Sequence, residues 1–428
     1  MPLKESPVWL DGAVFPRSDP ARGLPARADV AVIGAGYTGL AAARELARRG
    51  ARVALLEAHS PGWGASSRNG GMVLSGLKLD AGQLVAQFGL VAARRMFAAS
   101  LAAVDWVEQI VRGEQIDCAF RRSGHLLVAA KPAHFRAFAH EHELLAREFG
   151  HATRLVPPGE LAGEIGSATF HGGLVDESSA GVNPAHYVAG LARAAVRAGA
   201  QLFEQTPATG LRREGAGWCV STPRGELRAG AVLAAGGAYT GAELPQLRRK
   251  IVPLGSYIIA TAPLPEDLAR ALIPHDRMIF DTRHLLSYFR LTPDRRMLFG
   301  GRARFFPESP RMVRASAELL QRTMVAVFPQ LRGVPVEHAW GGTLDVAFDL
   351  MPHMGQAGGL HYAIGYAGHG VAMASYLGVQ LGAQLAGAPF ENPFAGLPFP
   401  GAPLGLYDGR PWFLPLVGAW YKLLDVIS

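Results

Sequence analysis

Gly34, Gly36 and Gly39 stand in the spacing G-x-G-x-x-G inside "DVAVIGAGYTGLAAARELARRGARVALLE", residues 29 to 57, and the stretch closes on Glu57. A triplet of this kind holds a dinucleotide when it joins a strand to a helix. The first glycine permits the tight turn, the second lets backbone approach a pyrophosphate, and the third lets the helix pack on the strand. Tyr37 and Thr38 then belong to the helix start that faces the phosphates, and a carboxylate such as Glu57, followed by Ala58, accepts the ribose hydroxyls and disfavours a 2′-phosphate. Three further groups can do chemistry. Ser66, Ser67, Arg68, Asn69 and the Gly70–Gly71 pair offer consecutive backbone N–H groups to an anion. Tyr288 and Arg290 share one face of a strand, an aromatic wall beside a guanidinium that suits an amine carrying a carboxylate. Gly368, His369 and Gly370 open a helix whose N-terminus favours negative charge.

The elements that must position these residues follow from pattern. "DVAVIG" reads as a buried parallel strand, "YTGLAAARELARRG" as a helix ending on Gly50, and "ARVALLE" as a second strand. Later strand-like runs lie at 123 to 130 and between 201 and 240, where Ala208, Ala235 and Gly236 fall. "RHLLSYFRLTPDRRMLFGG" reads as two strands joined by a turn at Thr292 to Arg296, and residues 361 to 364 as a strand before a helix starting near Gly370. Between the first unit and these runs come the glycine- and serine-rich loop after Glu57 and long alanine-rich helices such as "LVAARRMFAASLAAVDWVEQIV". A nicotinamide-type sheet would continue with short strand and helix alternations. The interrupted order suits a flavin domain with a substrate domain inserted.

Composition narrows the alternatives. With 428 residues and 49% hydrophobic content the chain can bury a large core. The net charge of +7 comes from scattered arginines, with lysine only at 4, 78, 131, 250 and 422, which argues for a solvated basic surface rather than a nucleic-acid stripe. Cys118 and Cys219 form neither a disulfide framework nor a cysteine metal site, and a reducing, cytoplasmic setting is expected. The N-terminal stretch lacks the apolar core of an export signal, and residues 370 to 387, the most apolar long run, read as a buried helix rather than a membrane span. The C-terminal "RPWFLPLVGAWYKLLDVIS" is rich in apolar and interfacial side chains, but Pro415 and Gly418 break its period. Docking on the protein's own body is expected there, with peripheral membrane contact the alternative.

"DVAVIGAGYTGLAAARELARRGARVALLEA", "GWGASSRNGG", "LAAGGAY" and "IGYAGHGVAMA" together resemble the FAD-dependent amine and amino-acid oxidoreductases of the D-amino-acid oxidase superfamily, over roughly residues 28 to 425. "ASSRNGG", "YFRLT", "FPQLRGV" and "GYAGHGV" are most similar to its branch acting on gamma-glutamylated amines. The resemblance implies an α/β fold: a Rossmann-like FAD domain of residues 1–115, 183–252 and 340–428, and an antiparallel-sheet substrate domain of residues 116–182 and 253–339. It implies hydride transfer from the carbon beside an amine nitrogen to the flavin, then imine hydrolysis. The "SSRNGG" loop would cross the pyrophosphate and ribityl region, Tyr288 and Arg290 would line the pocket, and the Gly370 helix would face the flavin. His369 either caps its own helix or touches the flavin. Asp345 either pairs with a distal ammonium or is a solvated loop carboxylate, with Phe348, Asp349 and Tyr257 as further pocket candidates.

Two departures bear on chemistry. Sarcosine-oxidase-like members carry a lysine after the hairpin turn that helps oxygen meet reduced flavin, whereas "RMLFGGRAR" has none. Either oxygen or a quinone therefore remains open as acceptor. Lys78 stands in for that lysine or is a solvent-facing loop residue. Neither cysteine matches a flavin-linking position and the "ASSRNGG" loop has no histidine, so FAD is expected to be held non-covalently. The alternatives are a flavoprotein dehydrogenase that passes electrons to a quinone or protein acceptor, and a protein of another class that binds FAD structurally or for electron transfer without an amine substrate.

Overall fold

The computed structural model describes residues 3–19, 23–301, 310–389 and 391–427. The opening stretch folds as its glycines require: strand Arg27–Ile33, helix Tyr37–Arg48, strand Val53–Leu56. Gly34 sits at φ +101°, a conformation closed to most residues, and a Cβ there would lie 2.7 Å from the Ala235 carbonyl oxygen. A Cβ on Gly39 would overlap the Gly34 carbonyl oxygen, which is why the helix can lie against the turn.

Two large sheets organise the chain. In the first, the spatial order is His353–Ala357, Leu360–Ile364, Gly225–Ala234, Arg27–Ile33, Val53–Leu56 and Gln201–Phe203. Its central pairs are parallel. The antiparallel strands Gly210–Glu214 and Gly217–Thr222 extend it beside Gly225–Ala234. The second runs from Val336–Ala347 and Ile251–Thr261 through Met297–Gly301, Ser287–Leu291 and Met278–Asp281 to His125–Val128, Gly173–Asp176 and Arg154–Val156. All its pairs are antiparallel except Met278–Asp281 with His125–Val128. The hairpin Ser287–Leu291 to Met297–Gly301 turns where the sequence placed it. Residues 302–304, the end of the lysine-free stretch, lie outside the described residues.

Sheet membership moves the expected domain edges. The edges at 252/253 and 339/340 fall inside Ile251–Thr261 and Val336–Ala347, which pair with each other along nearly their whole length in the second sheet. The N-terminus also departs from the 1–115 assignment: Lys4 N–H donates to Glu337 O, and Trp9 packs with Ile258, Leu298 and Trp340.

Helix Gly370–Leu385 is buried almost throughout and lies against Tyr37–Arg48, with Gly378 and Gly382 facing Thr38, Ala41 and Ala42. Among the described residues no helix is long and apolar enough to cross a membrane. The C-terminal segment is one helix, Leu414–Ile427, despite the expected interruption. Pro415 lies in its first turn, where a missing N–H costs no hydrogen bond, and Gly418 is buried.

Candidate functional site

The ends of the first sheet's parallel strands and the start of helix Tyr37–Arg48 enclose a cavity of about 470 Å³. Gly34, Gly36, Tyr37, Thr38, Glu57, Ala58, Ser66, Asn69, Ala208, Ala235, Gly236, Gly368 and Gly370 all line it. Gly39 and Ser67 do not, nor do Arg68, Gly70 and His369, which line the adjoining cavity instead. Gly39 works from beneath by letting the helix approach, and Ser67 is buried away from the opening. A Cβ on Gly36 would come 3.0 Å from the Ser66 hydroxyl oxygen, which accepts the Tyr37 N–H at 3.1 Å. The glycine makes room for the loop that closes the cradle.

Glu57 is fixed at the cavity wall by two backbone bonds, accepting Ala35 N–H on one oxygen and His59 N–H on the other, each at 2.8 Å. Each oxygen keeps a lone pair for a ribose hydroxyl. The residues 65 to 71 form a short helix and turn rather than an open loop. Asn69 holds it: its amide nitrogen donates to Ala65 O at 3.0 Å and Ser66 O at 3.1 Å, and its oxygen accepts Gly71 N–H at 2.8 Å. Two indoles pin it from outside, Trp9 donating to Asn69 O and Trp340 to Arg68 O, both at 2.9 Å.

A second cavity of about 150 Å³ shares Ala65, Asn69, Leu344, Gly368 and Val371 with the first. Tyr288, Phe280, Met72 and Leu74 give it an apolar wall, and Ser256, Thr343, Lys78, Arg68, Gly70 and His369 supply polar groups. The Tyr288 and Ser256 hydroxyls are 3.0 Å apart. His369 precedes its helix but makes no capping bond through its side chain, and its buried Nδ1 has no partner among the described residues. Burial, with the positive charge of Lys78 next in weight, pushes the imidazole down to about 3, so it is neutral at ordinary pH.

Arg290 is corrected by this geometry. It shares a strand face with Tyr288, but its guanidinium donates to Gly71 O at 2.7 Å, Val182 O at 3.2 Å and Leu291 O at 3.1 Å, and it does not line the inner cavity. It faces a separate hollow with Asp276 and Arg121. Lys78 lines the inner cavity rather than standing on a solvent-facing loop. Ser256, beside the pocket candidate Tyr257, is the residue that enters the inner cavity. Alternate residues of a strand face opposite ways, and Tyr257 points into the core while Ser256 meets Tyr288. Asp345 is neither a loop carboxylate nor open to bulk solvent: it is buried on Val336–Ala347, lines the cradle and accepts Gly365 N–H at 2.7 Å. Asp349 bonds His353 and Phe348 packs on Tyr407, both away from the two cavities. Cys118 and Cys219 are buried and line neither cavity.

A glycine turn that a Cβ would block, a helix start, a ribose-side carboxylate and an adjoining aromatic-walled cavity define a flavin-dependent oxidoreductase. The chain belongs to the FAD dependent oxidoreductase family, whose model matches residues 29–384. It is 32% identical over 406 residues to gamma-glutamylputrescine oxidoreductase of Escherichia coli (strain K12), covering 93% of this chain and 92% of that protein. It is 33% identical over 436 residues to a probable oxidoreductase OrdL of Rhizobium meliloti (strain 1021), covering 99% and 98%. In fold it matches glycine oxidase from Geobacillus kaustophilus, with a TM-score of 0.75 at 22% identity over 89% of this chain and 99% of that one. L-proline dehydrogenase from P. horikoshii gives 0.71 at 20% identity, over 91% and 98%. The protein is an FAD-binding oxidoreductase acting on amine or amino-acid donors.

Proposed function

We propose that the substrate is a primary or secondary amine that also carries a carboxylate, and that it is oxidised at the carbon beside nitrogen with FAD held non-covalently. The observation that carries this reading is the inner cavity's lining: Tyr288, Ser256, His369 and Lys78, with no carboxylate among the described lining residues. When bound, FAD supplies the two-electron acceptor for the hydride that leaves the substrate carbon. The chain's own residues do the rest. Arg68 and Lys78 are the two cationic residues at the wall, and Lys78 is close enough for its charge to lower the pKa of the His369 imidazole. That charge attracts a carboxylate and disfavours an ammonium. Burial, the main cause of the neutral His369, together with the Lys78 charge also favours the neutral amine, the form whose lone pair assists hydride loss. Met72, Leu74, Phe280 and Tyr288 exclude water from the reacting bond. A gamma-glutamylated amine, named by one relative, carries such a carboxylate.

Anaerobic flavin reduction tests the reading with matched amines that differ only in the carboxylate. Lys78→Met should weaken apparent affinity for the carboxylated member roughly ten- to a hundredfold, the worth of one charge-assisted pair, and change the plain amine little. Equal losses on both, or reduction by a 2-hydroxy acid and by no amine, would remove it. Reoxidation by air against an artificial quinone then assigns the acceptor.

A further inference from the structure

Among the described residues twelve large apolar side chains stand exposed, and five of them, Leu406, Trp412, Leu416, Trp420 and Leu423, fall within the last stretch of chain. Leu416, Trp420 and Leu423 follow one another at helical spacing on Leu414–Ile427 and are 68%, 55% and 49% exposed. Trp412 continues the row one turn before the helix, at 64%. The opposite face is the docked one. Leu414 and Tyr421 pack with Val252, Leu254, Tyr407 and Leu344, and Asp425 accepts the His284 and Leu285 N–H groups at 2.8 and 3.1 Å. The body therefore holds the helix by one face and leaves its second apolar face outward.

We propose that this face docks the enzyme on an anionic lipid surface. A helix of 14 residues is too short to span a bilayer and suits lying in its interface. Two tryptophans in a row of leucines are the side chains that settle at the headgroup level. Charge supports lipid over other occupants. Arg410 and Arg249 are exposed near the segment's start, where Gly409 meets the Arg248 side chain, within a chain of net charge +7. Of the nearby acids, Asp425 is engaged on the body as above, while Asp408 is exposed, accepts the Arg410 N–H and offsets one of the two arginines. Two copies facing through this stripe would bring their arginine rims together, whereas anionic headgroups neutralise them. The helix also braces the loop that carries Leu286, a wall residue of the inner cavity.

Cosedimentation of the flavin-loaded, full-length protein with vesicles tests this. Phosphatidylglycerol–phosphatidylcholine vesicles should bind it roughly tenfold or more tightly than phosphatidylcholine alone. Leu416→Glu with Trp420→Glu should abolish binding while flavin content stays normal, and Arg249→Glu with Arg410→Glu should remove the preference for anionic lipid. Failure of the unaltered protein to bind either vesicle overturns the proposal. So does a dimer, seen by light scattering, that the Leu416/Trp420 pair dissociates without any vesicle binding, since the stripe then covers a second copy.

Discussion

Asp345 is a carboxylate without a cation at hydrogen-bond distance among the described residues; backbone N–H groups of Gly365 and its neighbours are its partners, and burial pushes it up to about 6. The folded protein therefore holds this proton more tightly than the unfolded chain does. Stability contributed by the group is fullest below about pH 4 and declines as pH rises to about 6, by up to about 3 kcal/mol. In flavin-free protein, Asp345→Asn should gain on the unaltered chain between pH 4 and pH 7 in thermal unfolding, because the amide cannot ionise. A constant difference across that range would show that the carboxylate is not strained by burial. Arg290 is a clamp of the opposite sign. Its removal leaves the Gly71 and Val182 carbonyls without their charged donor, and each such bond is worth about 1.5 to 3 kcal/mol. Arg290→Ala should lower the melting temperature and slow carboxylated and plain amines in equal proportion. A selective loss on the carboxylated amine would return Arg290 to the pocket.

Packing between helices Tyr37–Arg48 and Gly370–Leu385 places both helix starts at the cradle, and it depends on glycine. A Cβ on Gly378 would overlap the Thr38 carbonyl oxygen, and one on Gly382 would lie 2.8 Å from Ala42 O. Gly378→Ala should force the helices apart at a cost of roughly 1–3 kcal/mol and weaken FAD binding, measured by flavin retention on gel filtration. Full retention with unchanged melting would mean that the second helix is free to shift. These helices were legible in the sequence because glycine turns, caps and apolar runs are local. The hairpin turn at Thr292 to Arg296 was legible for the same reason. What was not legible is set by contacts distant in sequence. Arg290 meets carbonyls 219 and 108 residues away, and no strand pattern shows that its donors are spent there. The edges near 252 and 340 were missed because Ile251–Thr261 and Val336–Ala347 are unusually long strands whose pairing runs through both expected borders.

The whole molecule is tied together at the cradle rather than through a linker. Val336–Ala347 belongs to the second sheet, yet Trp340 on it bonds Arg68 O, Asp345 O accepts Ala367 N–H at 2.9 Å, and Asp345 Oδ2 accepts Gly365 N–H at 2.7 Å. From the N-terminal segment Trp9 adds its bond to Asn69 O. The cavity's walls come from both sheets, so FAD held there, binding only the folded state, would stabilise both at once, by about 4 kcal/mol at a thousandfold excess over its dissociation constant. Flavin release, followed by its fluorescence, and loss of far-ultraviolet circular dichroism should therefore coincide in one thermal transition of the loaded enzyme. Stripping the flavin should lower that transition by several degrees, and added FAD should restore it in proportion to the logarithm of its concentration. Flavin escaping well below the loss of secondary structure would show instead that the cradle opens alone, with Trp340 and Asp345 too weak to couple it to the second sheet.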